Sequence, residues 1–223
     1  MTGSLFVVAT PIGNLEDISE RALRVLREAD IILCEDTRKT MKLLSRYAIT
    51  SSLLSYHQHS SQEKMERVLS LLLEGKTVAL VTDSGTPGIS DPGNELLTFL
   101  LEKDSTLNII PVPGACALAT IVSVAGFPMN AFLFLGFPPQ KNKRKKFFAE
   151  AATSSVPIVL YESPHRIEKT LVDLREAMGD PEVVVGRELT KVFETIYRGK
   201  VSEVLPSLMK KGEFVIVVKP QKV

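Results

Sequence analysis

The sequence predicts an α/β protein of two domains, with a largely parallel sheet in the N-terminal domain and a mixed sheet in the C-terminal one. Three observations predict it. Short apolar runs alternate with segments of helical periodicity through the first half, the pattern of strands joined by crossover helices. Glycine- and proline-rich turns follow several of those runs, where the ligand loops of parallel sheets lie. The last apolar runs, at 182–185, 193–197 and 214–218, come at hairpin-like spacing, which suits antiparallel pairing. With 223 residues, 44% of them hydrophobic and 24% charged, the chain is an ordinary globular one, long enough for domains at 1–118 and 119–223.

Each element follows from local pattern. Residues 5–9 form a first strand, and the turn Thr10-Pro-Ile-Gly-Asn-Leu-Glu16 leads to a helix for which Asp17 and Glu20 have capping-box spacing. Ile18, Ala22, Val25, Leu26 and Ala29 recur at helical spacing. A strand at 31–33 precedes Glu35-Asp-Thr-Arg38 and a helix to about Tyr47; a third strand lies near Leu53. Met65, Val68, Leu69 and Leu72 mark the next helix, and residues 77–81 a buried strand. Asp91 and Pro92 are expected as N-cap and first residue of the following helix. After a strand at 108–111, Pro113-Gly114 is expected to open another helix, and Gly136-Phe-Pro-Pro139, after a strand at 132–135, reads as a linker. A strand at 156–161 then leads to a helix capped by Ser163 with Pro164 at its first position.

The segment Thr82-Asp-Ser-Gly-Thr-Pro-Gly-Ile-Ser-Asp-Pro-Gly93 stands out as a ligand loop after a strand. It has neither Gly-Lys-Ser/Thr nor G-x-G-x-x-G, so it is no phosphate cradle, and its charged residues are aspartates. Hydroxyl, ammonium or sulfonium groups suit it better than a polyphosphate. Cys34 and Cys116 lack metal-ligand or redox spacing and read as reduced thiols, while His57, His59 and His165 are too scattered for a zinc site, so no metal is expected. The N-terminus enters a strand without a basic, apolar leader, and no stretch is apolar enough to span a bilayer, so the expectation is a cytoplasmic protein. No nucleophile elbow or Cys/His pairing suggests a hydrolase.

Lys141, Lys143, Arg144, Lys145 and Lys146 put five positive charges into six residues, flanked by Phe137, Phe147 and Phe148. About five phosphate contacts with single-stranded RNA correspond to a log-log salt slope near −3.5. The mixed charges Arg187, Glu188 and Lys191 fit either an ion-pair network or substrate handles.

Together, Val8-Ala-Thr-Pro-Ile-Gly-Asn-Leu-Glu-Asp-Ile18, Glu35-Asp-Thr-Arg38, the 82–93 loop, Val112-Pro-Gly-Ala-Cys-Ala117, Glu162-Ser-Pro-His-Arg-Ile167 and Gly186-Arg-Glu-Leu-Thr-Lys191 resemble the tetrapyrrole methylase superfamily, the class III S-adenosylmethionine methyltransferases. Their wording is most similar to the members that modify small-subunit ribosomal RNA. The resemblance covers about residues 4 to 219. It implies a homodimer, S-adenosylmethionine bound in the interdomain cleft, and 2′-O-methylation of a cytidine in the decoding region of 16S rRNA within the 30S subunit. By position it implies cofactor contacts from Pro11, Ile12, Asp83, Ser84, Gly85, Thr86, Pro87, Ile89, Cys116, Ala117 and Tyr161. Gly85-Thr86-Pro87 stands where tetrapyrrole-modifying members have Gly-Asp-Pro, so Thr86 or Asp83 is expected to replace that aspartate. Many rRNA-modifying members continue into a small helical domain, whereas this sequence stops at Val223. Proton acceptance is expected of Glu188, Lys191 or a carboxylate of Glu35-Asp36, and RNA binding of Arg38, Arg166, Arg187 and the 141–146 run. Two other readings share parts of the pattern: a precorrin-type tetrapyrrole methylase, and a non-enzymatic RNA-binding or assembly module.

Overall fold

In the computed structural model, which describes residues 2–57 and 60–220, the alternation of the first half becomes a five-stranded parallel sheet. Its strands are β1 (Ser4–Val8), β2 (Ile31–Cys34), β3 (Ser52–Ser55), β4 (Thr77–Leu80) and β5 (Asn108–Val112), in the order β3-β2-β4-β1-β5. The crossovers are α1 (Glu20–Glu28), α2 (Thr37–Arg46), α3 (Gln62–Leu73) and α4 (Asn94–Lys103). These elements lie in the first of two units, Met1–Cys116 and Ala117–Val223.

Strand alternation divides the core of the first unit. Val8, Ile32, Cys34, Ala79 and Val81 pack with Ala22, Val25 and Leu26 of α1 and Leu44 of α2. Leu5, Leu33, Val78 and Leu80 turn the other way, onto Val68 and Leu72 of α3 and Leu96 and Leu100 of α4. A sheet covered on both faces needs strands apolar on both sides, as β2 is and as β4 is after Thr77. From β1 the chain winds toward β2 and β3; from β4 it crosses to β5, beyond β1. That reversal is the topological switch beside which open α/β sheets bind ligands, outside the carboxyl ends of the strands.

The second unit contains α5 (Ala117–Ser123), β6 (Leu133–Gly136), α6 (Arg144–Ala152), β7 (Ile158–Glu162), α7 (Ile167–Met178), β8 (Glu182–Arg187), β9 (Thr195–Lys200), α8 (Val201–Val204) and β10 (Phe214–Val218). Its sheet is mixed, in the order β6-β7-β10-β8-β9. Only the β6–β7 pair is parallel; β10 runs antiparallel to β7 and β8, and β8 antiparallel to β9. Phe148 of α6, Ile167, Leu171 and Leu174 of α7, and Val201 and Val204 of α8 cover one face. The expected pairing of a parallel sheet with a mixed one is therefore what the chain forms.

Several expected caps fall elsewhere, for local reasons. Ser19, not Asp17, caps α1, its hydroxyl accepting from Ala22 N at 3.1 Å, while residues 15–17 make a 3₁₀ turn capped by Asn14. Asp91 stays in the loop because Gly93, at φ +141°, makes the turn into α4. Pro113-Gly114 does not open a helix: α5 starts at Ala117, and a Cβ on Gly114 would lie 3.0 Å from Ala9 Cβ. Ser163 does not cap α7 either; its carbonyl accepts from Arg166 N and Ile167 N in a turn that ends where the helix begins. The supposed linker at 136–139 lies inside the second unit, where Phe137 meets the Tyr161 ring edge-on at 5.6 Å.

Candidate functional site

Three loops gather at the carboxyl ends of the neighbouring strands β4, β1 and β5. Thr10 and Gly85 form a two-way bridge, Thr10 N donating to Gly85 O at 2.9 Å and Gly85 N to Thr10 O at 3.1 Å. Gly85 sits at φ +84°, and a Cβ there would meet Ile12 Cγ2 at 3.2 Å. The third loop joins through Thr86, whose hydroxyl donates to Ala115 O at 3.0 Å. Glycine suits 85 because its φ is left-handed, and 114 because a Cβ there would press on Ala9. The expected contacts Pro11, Ile12, Asp83, Ser84, Gly85, Thr86, Pro87, Ile89 and Cys116 thus belong to one continuous set of loops in the first unit.

The side chains proposed to replace the family's aspartate are engaged in holding these loops. The Asp83 carboxylate accepts from Asp36 N at 3.1 Å and pairs with Lys39 Nζ at 2.7 Å, while Asp83 N donates to Glu35 Oε1 at 3.2 Å. Lys39 is the participant that sequence reasoning missed; one turn into α2, it was hidden among helix-surface charges. What residues 82–89 offer a ligand is chiefly main chain. The donor set fits a cationic cofactor: residues 82–93 contain no lysine or arginine, and Asp83 is their link to the carboxylates after β2. In the second unit, the expected residues Ala117 and Tyr161 come together. Leu118 N donates to the Tyr161 hydroxyl at 3.1 Å, and the rings of Phe134 and Phe137 meet Tyr161 edge-on.

Three of the residues expected to take a proton, Asp36, Glu188 and Lys191, are committed to ion pairs. Asp36 caps α2 and receives Arg38 through a fork at 3.0 and 2.7 Å. The Arg38 side chain, then its backbone N–H, holds the Asp36 carboxyl well below its usual range, making it a poor base. Burial pushes the Glu188 carboxyl up, but Glu213 N–H and the Lys191 ammonium outweigh it and lower the pKa. Burial likewise pushes Lys191 down, and its bonds to Glu213 and Glu188 outweigh that, leaving it protonated. These two residues brace the β8–β9 connection, with Glu188, itself at φ +50°, packed on Gly212.

The signs define a pH test. Stability from Glu188 is present above the ordinary glutamate value of 4.5 and is lost as pH falls through the lowered value. Stability from Lys191 is full below its ordinary value of 10.5 and is lost as pH rises through the raised one. Replacing Lys191 by methionine should flatten both limbs of the curve of urea midpoint against pH; unchanged limbs would contradict the pairing.

The arginines expected to bind RNA divide sharply. Arg144 is only 6% exposed: it bonds Asp173 at 2.6 Å, Pro139 O at 2.9 Å and Thr170 Oγ1 at 2.8 Å, with its guanidinium 5.0 Å from the Phe148 ring centre. Arg187 is 4% exposed and ties Lys211 O to Phe193 O. Arg166 pairs with the buried Glu162 at 2.9 Å and donates to Pro138 O. These three build the second unit and do not offer free guanidinium groups to phosphate. Lys141, Lys143, Lys145 and Lys146 are exposed, as is Arg38. Four available charges in the run reduce the salt slope to roughly −2.8 for single strands.

Among the described residues no three histidine, cysteine or acidic side chains cluster to hold a metal; His59 lies outside them. Among them, too, no helix is long and apolar enough to cross a membrane.

Comparison with known proteins adds three findings. The family model for Tetrapyrrole (Corrin/Porphyrin) Methylases matches residues 4–205. Ribosomal RNA small subunit methyltransferase I of Thermotoga maritima is 45% identical over 219 residues, covering 97% of this chain and 98% of the relative; that of Halalkalibacterium halodurans is 43% identical over 220 residues, covering 97% and 75%. The crystal structure of uroporphyrin-III C-methyl transferase from Thermus thermophilus, complexed with S-adenyl homocysteine, superposes with a TM-score of 0.65 at 18% identity, covering 96% of this chain and 97% of the other, which shows a shared fold. The chain belongs to the tetrapyrrole methylase family and, within it, to the ribosomal RNA small subunit methyltransferase I family.

Proposed function

We propose that this protein transfers the methyl group of S-adenosylmethionine to small-subunit ribosomal RNA, at the ribose 2′-oxygen of a cytidine. The observation that carries this reading is the identity of 45% with a methyltransferase of that name over nearly the full length of both chains. The same resemblance supports a cytoplasmic homodimer acting on the 30S subunit. S-adenosylmethionine supplies an electrophilic methyl on a sulfonium.

The protein's own residues supply position and charge. The backbone of residues 82–89, fixed by the Thr10–Gly85 bridge and by Thr86, orients the cofactor. Tyr161 fixes the start of α5 in the second unit. The exposed lysines of the 141–146 run hold phosphates. Of the carboxylates expected to accept the ribose proton, Glu35 has no ion-pair partner among the described residues, and it takes that role. Glu35→Gln should lower kcat by about 100-fold with unchanged cofactor affinity; near-normal turnover would remove Glu35 from the role.

Calorimetric titration with S-adenosylmethionine separates this reading from a non-enzymatic RNA-binding module. Saturable heat and a cofactor-dependent rise in Tm are expected. The absence of both would sink the proposal.

A further inference from the structure

The first unit holds a cavity of about 320 Å³ beside the 82–93 segment, lined by Tyr56, Gly88, Ser90, Asn94 and Glu95 among others. That volume lies at the small end of the roughly 300–1,000 Å³ typical of ligand sites. Tyr56 is only 3% exposed, and its hydroxyl has no hydrogen-bond partner among the described residues, whereas a buried phenol ordinarily finds one. Every fully sealed side-chain nitrogen or oxygen among the described residues has a partner, so this hydroxyl is not sealed. The Tyr56 hydroxyl therefore keeps some accessible surface, and Tyr56 is one of the residues that line the cavity. Glu95 stands on the same cavity, and its carboxylate has no hydrogen bond or ion pair among the described residues. Burial first, and then the Glu95 charge, pushes the Tyr56 phenol up, so Tyr56 stays protonated and able to donate.

The facing wall is held in place. Asn94 Nδ2 donates to Gly88 O at 3.1 Å, and Gly88 at φ +84° has no room for a Cβ, which would fall 2.7 Å from Asn94 Oδ1. Glu95 is in the first turn of α4, where a carboxylate also favours the helix. That role explains the residue type but leaves the unpartnered Tyr56 hydroxyl unexplained.

A carboxylate and a phenol O–H that share one cavity can together meet a ligand edge with an N–H donor beside an acceptor. Cytosine has that edge, its exocyclic amine next to a ring nitrogen; uracil puts a carbonyl oxygen where the carboxylate needs a donor. An enzyme acting on a nucleotide within folded RNA can take the base out of its stack and read its Watson–Crick edge in a pocket. We propose that this cavity is the base-reading subsite for the target nucleotide, with Glu95 accepting from the cytosine amine and Tyr56 donating to the adjacent ring nitrogen. The inference rests on the rRNA methyltransferase reading.

The test compares 30S subunits carrying cytidine with subunits carrying uridine at the nucleotide that the wild-type protein labels. The wild type should prefer cytidine by roughly 10- to 100-fold in kcat/KM. Glu95→Gln, whose amide can donate to the uracil oxygen, should bring the two substrates within about threefold of each other. Tyr56→Phe should raise KM for the cytidine substrate several-fold with little change in kcat. Both variants should keep the wild-type Tm and cofactor affinity, which a purely structural role for Glu95 would not predict. Wild-type labelling of rRNA, with an unchanged cytidine-to-uridine ratio in both variants, would overturn the subsite and leave the methyltransferase reading standing. No labelling by the wild type would overturn both.

Discussion

Truncating Arg144 to alanine is expected to lower the thermal midpoint by roughly 6–12 °C. The guanidinium is the hub of a buried polar chain in the second unit. It bonds Asp173, Pro139 O and Thr170 Oγ1, and the Thr170 hydroxyl in turn donates a hydrogen bond to Glu162 Oε2 at 2.6 Å. Breaking a buried ion pair from one side costs about 3–5 kcal/mol because the other charge stays behind. The side chain of Asp173 keeps 24% of its exposure, so the low end, about 3 kcal/mol, applies. For a chain of this size each kcal/mol corresponds to roughly 2–4 °C. Lys145→Ala and Lys146→Ala should leave Tm almost unchanged and each reduce the RNA salt slope by roughly 0.7. If Arg144→Ala instead lowered the salt slope and spared Tm, the assignment of Arg144 to the core would be wrong.

The second large effect is expected at Gly85. Valine there must adopt a left-handed backbone, costing roughly 1–2 kcal/mol, and its Cβ approaches Ile12 Cγ2 to 3.2 Å. The loop cannot rotate away without losing both hydrogen bonds to Thr10. Affinity for S-adenosylmethionine should fall at least about tenfold by calorimetry. Gly126→Ala is the control: it has a similar φ of +80° with nothing within 4 Å of its Cβ, so it should carry backbone strain without loss of cofactor affinity. Equal losses in both variants would mean that strain, not the geometry of the three loops, sets the affinity.

Parts of this protein were legible in the sequence because local pattern and tertiary demand coincide. The apolar runs of β2 and β4 have no polar face to hide, and β10 was placed at its observed limits, Phe214–Val218. The 82–93 loop was legible from its glycines, since a loop that approaches other backbone closely needs them. Helix starts were less legible wherever a proline or serine offered a local cap that the chain does not use, as at Asp91 and Ser163.

Arg144 was the least legible residue. Five basic residues look alike in one dimension, but α6 begins at Arg144 and turns that one side chain toward Thr170 and Asp173 of α7, while its lysine neighbours stay in solvent. The same is true of Glu188 and Lys191, where spacing showed that charges gather but not that they neutralise one another. Tyr56 and Glu95 are 39 positions apart and belong to no shared motif; only the fold sets them on one cavity.

The most direct test of the central claim is transfer of labelled methyl from S-adenosylmethionine to 30S subunits and to naked 16S rRNA, followed by mapping of the labelled nucleotide. The account predicts label on the ribose 2′-oxygen of a single cytidine. Absence of transfer to either substrate, or label confined to a base, would contradict it.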